Sequence, residues 1–161
     1  VFAYPYGEYN KEVRDIVRKL GMIGFGQQSG AIGPSSDPLI LPRFPLAGAY
    51  TGIEALRDKL GSLAMPLKTR YQPPLITENP SPTLQLEFAD PSLRVENVKC
   101  FGPGGIMKVS KTSNTEILIK PKHELPVGRS RYNCTLRYKD RYFWYSQLWM
   151  RRNKDGTWYK E

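Results

Sequence analysis

Residues 2–10 read Phe2-Ala3-Tyr4-Pro5-Tyr6-Gly7-Glu8-Tyr9-Asn10. An apolar run meets a Pro-Tyr-Gly turn and then Asn10, whose short polar side chain suits the residue that caps a helix. Val13, Ile16, Val17 and Leu20 follow at i, i+3, i+4 and i+7, on one helical face. Gly21 is a stop residue for that helix, and Met22-Ile23-Gly24-Phe25 reads as the next strand. A strand–helix–strand unit of this length predicts two parallel strands.

Downstream, Gln27 to Pro38 is a loop rich in Gly, Ser and Pro. Leu39-Ile40-Leu41 predicts a short strand that ends at Pro42-Arg43-Phe44-Pro45. Thr51-Gly52-Ile53-Glu54 has the form of a capping box, so a second helix is expected from Thr51, with Ile53, Leu56 and Leu60 on one face and Gly61 at its end. From Leu63 to Pro82 five prolines forbid a regular helix and predict a stiff, extended connector. The expected organisation is therefore an α/β part over 1–62, a connector over 63–82 and a β-module over 83–161.

In that module the period changes to two. Leu84, Leu86 and Phe88 share a face, and Arg94 to Phe101 alternates less cleanly. Gly102-Pro103-Gly104-Gly105 is a turn. Met107 to Ser110 and Glu116 to Lys120 are further strands, joined by Thr112-Ser113-Asn114. Tyr132, Cys134, Leu136 and Tyr138 share a face, Lys139-Asp140 turns into Arg141 to Arg152, and a last turn leads to Thr157-Trp158-Tyr159. Short strands with frequent turns predict an all-β antiparallel sandwich, with an immunoglobulin-like arrangement as one form of it. Cys100 and Cys134 both fall in strands; they pair in an oxidising compartment or stay as two buried thiols.

Net charge is +9 over 161 residues, and it is lopsided. Residues 1–60 carry 7 Lys and Arg against 6 Asp and Glu, and the remainder carries 17 against 9. Such a module attracts anionic partners, but there is no long basic block or nucleic-acid motif, so nucleic acid is not the expected partner. The apolar runs are too short to span a bilayer. Val1-Phe2-Ala3 leads directly into a Pro-Gly turn rather than a charged segment and apolar core, so these residues are not read as a signal peptide, and the absence of an initiator Met fits a truncated start. Gly24-Phe25-Gly26-Gln27-Gln28-Ser29-Gly30 has the wrong spacing for a nucleotide loop, and Pro34 and Pro38 prevent the helix that would hold a phosphate. His123 is the single histidine, too few for a metal site or a nucleophile–histidine pair built from this chain. Asn133-Cys134-Thr135 fits a glycosylation sequon, but alternation turns Cys134 inward and the match is read as chance. Tyr142-Phe143-Trp144-Tyr145, Trp149 and Trp158 are a dense aromatic set, read first as packing and second as platforms for sugar rings.

The order of strand, Pro5-Tyr6-Gly7, capped helix, strand Met22–Phe25, Gly/Ser loop and Leu41-Pro42-Arg43-Phe44 resembles the latter part of the catalytic barrel of polysaccharide deacetylases of the carbohydrate esterase type. The resemblance covers residues 1–50. It implies an enzyme that removes N-acetyl groups from a polysaccharide, using a divalent metal (zinc or similar) held by an Asp and two His, an Asp base and a His acid. It further implies that the backbone N–H of Tyr6 stabilises the oxyanion. In that family the metal-binding His pair and catalytic Asp precede the Pro-Tyr-Gly segment. The chain is thus expected to be the C-terminal part of such an enzyme, an incomplete barrel segment plus the sandwich, with no metal of its own and inactive alone. Upstream of Val1 the resemblance predicts Asp-Asp and His-x-x-x-His. Many family members carry an Arg where this chain has Ala3, and Arg43 is the candidate cation at the barrel mouth. Pro5, Gln27, Gln28 and Ser29 border that mouth as candidate substrate contacts, joined by Trp149 and Trp158 as stacking rings. The parent is expected to be extracytoplasmic, and the open barrel edges to self-associate. The rival reading is a non-catalytic β-sandwich that binds a glycan or a protein partner.

Overall fold

A computed structural model describes residues 1–68 and 73–157. Strand β1 (Phe2–Ala3) leads into a 3-10 turn over Pro5–Gly7 and then helix α1 (Lys11–Lys19). The Asn10 side chain accepts a hydrogen bond from the Val13 amide at 2.9 Å, so the cap forms as the sequence predicts. Arg18 and Lys19 fill the last turn, where cations complement the helix dipole. Strand β2 (Gly24–Phe25) returns parallel to β1, with Phe2 opposite Gly24 and Ala3 opposite Phe25. Leu41 adds one parallel bridge to Phe25. Gly24 permits this approach: a Cβ there would lie 2.2 Å from the Leu39 carbonyl oxygen. Tyr4, Val17, Leu39 and Ile40 form the small core of this part, with Phe2 and Tyr9 against it. Beside it the buried Asp37 carboxylate takes the Leu39 amide at 2.9 Å and an ion pair from Arg14.

Two expectations here are corrected. Leu39–Leu41 is not a strand, because the Ile40 amide turns back onto the Asp37 carbonyl at 3.0 Å and only Leu41 makes a bridge. The second helix, α2 (Ile53–Gly61), starts two residues later than predicted, with Gly52 at its cap position. The Thr51 hydroxyl donates to the Gly48 carbonyl at 3.0 Å and Glu54 pairs with Arg57 at 2.6 Å, so no capping box forms. No residue of α2 is fully buried, and Ile53 and Leu60 are exposed.

In the described parts of the proline-rich stretch, 63–68 and 73–82, two short segments lie along the sandwich. Strands β3 (Leu63–Ala64) and β4 (Ile76–Thr77) are followed by β5 (Leu84–Glu87), β6 (Lys99–Gly102), β7 (Gly105–Ile106), β8 (Lys108–Ser113) and β9 (Glu116–Lys120). Two eleven-residue strands, β10 (Gly128–Tyr138) and β11 (Arg141–Arg151), complete the fold. One sheet runs β3-β11-β10-β6-β7, with β4 also on β11; the other runs β5-β9-β8. Both β3 and β4 pair parallel to β11, so the larger sheet is mixed rather than purely antiparallel. Part of the strand expected over Arg94–Phe101 is instead a 3-10 turn, Val95–Asn97, with Val95 wholly buried. The strand predicted through Trp158 and Tyr159 falls outside the described residues.

The two sheets face each other across one core. Leu84, Leu86, Ile117 and Ile119 come from one side, and Cys100, Tyr132, Cys134, Leu136 and Trp149 from the other. Cys100 and Cys134 are bonded. They sit directly opposite one another on β6 and β10, with Cα atoms 4.1 Å apart. The bridge therefore ties neighbours of one sheet, unlike the bond across two sheets of immunoglobulin domains. Strand β11 is covered on both faces. Phe143, Tyr145 and Trp149 pack on the sandwich core, while Trp144 turns the other way and meets Phe44 edge-on, ring centres 5.5 Å apart. The outer face of the β10–β11 hairpin is thus the wall against which the N-terminal part is built.

Candidate functional site

Three chain segments leave the parallel unit on the same edge. Pro5-Tyr6-Gly7 follows β1, Gln27-Gln28-Ser29 follows β2, and Pro42-Arg43 follows the Leu41 bridge. Parallel neighbours share a direction, so their C-terminal ends emerge together; in α/β sheets this is the edge where ligands bind. The sequence pattern supplies the parallel order, and the order brings the candidate residues together.

Tyr6 has φ 53° and ψ 9°, and Gly7 follows at φ 72°. A positive φ on a bulky aromatic residue is an outlier that the surroundings must hold in place. The hold is visible. The Gly7 amide donates to the Tyr4 carbonyl at 2.9 Å and the Glu8 amide to Pro5 at 3.0 Å. Pro second and a positive φ third is the pattern of a type II turn, which ordinarily takes Gly or Asn at that third place. Gly7 is packed as well as turned, since a Cβ there would lie 2.6 Å from the Gln27 Cβ. As an amide at a helix start, the Tyr6 N–H is not satisfied by the turn itself. The Tyr6 ring is exposed, with the Arg129 guanidinium over it at 5.0 Å. Arg129 also pairs with Glu8 at 2.7 Å and so links the turn to the sandwich.

Between the turn and the outer face of β10 lies a cavity of about 290 Å³, lined by Tyr6, Gln27, Arg129, Arg131, Asn133 and Leu148 among others. A second, of about 260 Å³, shares Arg131 and Asn133 and extends to Ser29, Tyr50 and Lys59. Arg131 stands where the two meet. Its Nη1 donates to the Ser29 hydroxyl at 3.2 Å, and its buried Nε has no hydrogen-bond partner among the described residues. Burial pushes the guanidinium pKa down from its ordinary value, against a smaller opposing effect of Tyr50. Asn133 lines both cavities and accepts from the Ser146 hydroxyl at 2.8 Å, which engages its Oδ1 and leaves the NH2 as its donor group.

The predicted site residues divide into groups. Pro5, Tyr6, Gln27 and Ser29 gather at or beside the trough. Gln28 is buried and its amide donates to the Ile40 carbonyl, so it braces the loop. Arg43 does the same from outside: its Nε donates to the Gly26 carbonyl at 3.1 Å and its amide to the Gln28 carbonyl at 3.0 Å, while its side chain is exposed. Trp149 is 3% exposed and meets Tyr132 edge-on in the sandwich core, and it also lines the cavity that Tyr6 and Gln27 border. Trp158 lies outside the described residues. His123 sits over the Gly104 turn at the far side of the β-module. No group of three or more His, Cys, Asp and Glu side chains converges among the described residues. No helix among them is long and apolar enough to cross a membrane.

Sequence reading missed Glu8, Arg129, Arg131 and Asn133. A signal was present. Once Tyr132, Cys134 and Leu136 point inward, alternation sends Arg129, Arg131 and Asn133 together to the opposite face. What the sequence does not show is that this second face is covered. No family model, curated protein or solved structure matches the chain.

Proposed function

We propose that the chain is the C-terminal part of a metal-dependent polysaccharide deacetylase, with residues 1–62 completing the mouth of its barrel and the sandwich buttressing that mouth. The observation that carries this reading is the strained Pro5-Tyr6-Gly7 turn at the C-terminal end of a parallel strand, with Gln27 and Ser29 beside it. A turn that stores strain on an aromatic residue, at the edge where α/β proteins bind ligands, suits a backbone amide aimed at a reacting carbonyl. Tyr6 contributes its N–H; Gln27 and Ser29 offer polar contacts to sugar hydroxyls.

The divalent metal of this reading has no fitting ligand set among the described residues. On this reading the ligands it requires belong to other residues of the parent enzyme. The Cys100–Cys134 disulfide supports an oxidising, extracytoplasmic setting.

The test is to read the coding sequence upstream of Val1 and assay the longer product. Asp-Asp and His-x-x-x-His upstream, together with acetate release from an N-acetylated glucosamine polymer, are the expected results. An upstream region without a metal-ligand pattern, or a product that releases no acetate from any acetylated glycan, would remove the reading in favour of a non-catalytic binding module.

A further inference from the structure

Arg131 is the cation lining the cavity beside the turn that has no carboxylate partner among the described residues. Arg129 beside it is paired with Glu8 at 2.7 Å. In the adjoining cavity the Lys59 ammonium donates to the Pro45 and Tyr50 carbonyls at 2.6 and 3.1 Å. Arg131 has no carboxylate within ion-pair distance among the described residues, one hydrogen bond to Ser29, and a buried Nε with none. Holding a partly desolvated guanidinium without a counter-ion costs stability. A planar fork of N–H donors fits a carboxylate or phosphate in two parallel bonds.

We infer that the cavity between the Pro5-Tyr6-Gly7 turn and β10 is a subsite for the carboxylate of an acidic sugar unit, held by Arg131 with the Asn133 amide beside it, while Ser29 on the adjoining cavity accepts from Arg131 and steadies its guanidinium. A carboxylate is favoured over a phosphate because Arg131 is the one cation lining this cavity that lacks a carboxylate partner among the described residues, Lys59 lying on the adjoining cavity, and one negative charge balances it. The exposed Tyr6 ring and Leu148 give the sugar body an apolar rim on the same cavity. The inference rests on the glycan reading for its ligand class and names a polymer that mixes N-acetylated and acidic units.

The experiment uses the full 161-residue chain and needs no catalysis. The probe is glucuronate, titrated at constant ionic strength while the Arg131 Nε–Hε resonance and the thermal midpoint are followed. N-acetylglucosamine and inorganic phosphate are parallel arms. The expected result is a saturable shift of the Arg131 resonance and a raised midpoint with glucuronate, no response to N-acetylglucosamine, and weaker binding of phosphate. Arg131→Gln abolishes the response. Arg131→Lys keeps the charge but loses the fork, and weakens binding roughly tenfold or more, the worth of one charge-assisted bond. Arg137→Gln, an exposed arginine of the same strand, leaves it intact. Asn133→Asp places a competing carboxylate in the trough and abolishes binding in a folded chain, so the inference stays testable if Arg131→Gln fails to fold. Tighter binding of phosphate than of glucuronate, an equal response in Arg131→Gln, or no response to glucuronate in the native chain would each overturn the subsite. All of these are read without acetate release, so they leave the deacetylase reading standing; absence of acetate release in the longer product leaves the carboxylate titration standing.

Discussion

The sandwich and the N-terminal α/β unit draw on similarly apolar stretches of chain but close their cores to different degrees. In the sandwich Leu84, Phe88, Ile117, Ile119, Cys100 and Cys134 have no exposed surface at all. In the α/β unit only Val17 of the α1 stripe is buried, while Val13, Ile16 and Leu20 stand in solvent with Met22 and Ile23 beside them. The physical difference is the number of layers. A sheet face is covered once a second sheet lies across it, and here β5-β9-β8 covers the larger sheet. A helix laid on two short strands has too little surface beneath it to cover a full apolar stripe. One part is complete in itself; the other is held up by the β10–β11 wall and presents an open face.

The largest expected effect lies in the complete part. Cys100 and Cys134 close a loop of sequence separation 34, and on chain-entropy grounds such a cross-link stabilises by roughly 4 kcal/mol. A Cys100→Ala/Cys134→Ala variant is expected to lose about that much in urea unfolding. Because the wall is shared, the loss is expected in one transition that carries the α/β unit with it. A separate early transition for residues 1–62 would break the comparison, showing that the wall does not couple the two parts. Both sulfurs are wholly buried, so reductant is expected to act only once the chain opens.

A smaller effect tests what holds the open part. The Asn10 carboxamide accepts from Val13 at the start of α1. Replacing such a cap by Ala typically costs about 1 kcal/mol. Asn10→Ala is expected to lower stability by about that amount and Asn10→Asp to restore it, because the aspartate oxygen accepts the same bond and suits the positive helix end. An unchanged Asn10→Ala variant would mean that α1 is held by the Val17 contact and the Arg14–Asp37 pair alone.

How much of this was legible in the sequence follows the same divide. Asn10, the period-3.6 stripe and Gly21 act within a few residues, so the capped helix and the parallel order of β1 and β2 could be read directly. The strand pattern of the module was legible for the same reason. The second helix cap was misplaced because the chain closes a 3-10 turn at Gly48–Tyr50, onto whose Gly48 carbonyl the Thr51 hydroxyl donates, and the cap position falls on Gly52. Long-range pairings were invisible: nothing local says that β3 and β4 lie parallel on β11, or that Arg131 reaches Ser29 across 102 positions. The site was accordingly half legible. Its turn and loop announce themselves by Pro, Tyr and Gly, whereas its basic wall depends on which face of β10 another part of the chain covers.

The smallest expected effect on stability is the most informative about the open face. Ile16 and Leu20 of α1 are 55% and 62% exposed, and the outer edge of β1 has no strand partner among the described residues. Exposed apolar side chains and an unpaired strand edge each favour association with another chain. The native chain is expected to self-associate at high micromolar concentration by light scattering. An Ile16→Lys/Leu20→Lys variant should be monomeric there. Its unfolding free energy should change by less than about 0.5 kcal/mol, because these side chains lose no core contact within one copy. The pair of measurements separates two explanations of the exposed stripe. If association is lost while stability holds, the stripe is an interface that the single chain leaves uncovered. If stability falls by the 2 kcal/mol or more typical of core truncation, the stripe is packed within the chain after all, and the α/β unit closes its core as the sandwich does. A native chain that stays monomeric at those concentrations would show that the apolar face is tolerated in water, and the asymmetry between the two parts would then be one of packing density alone.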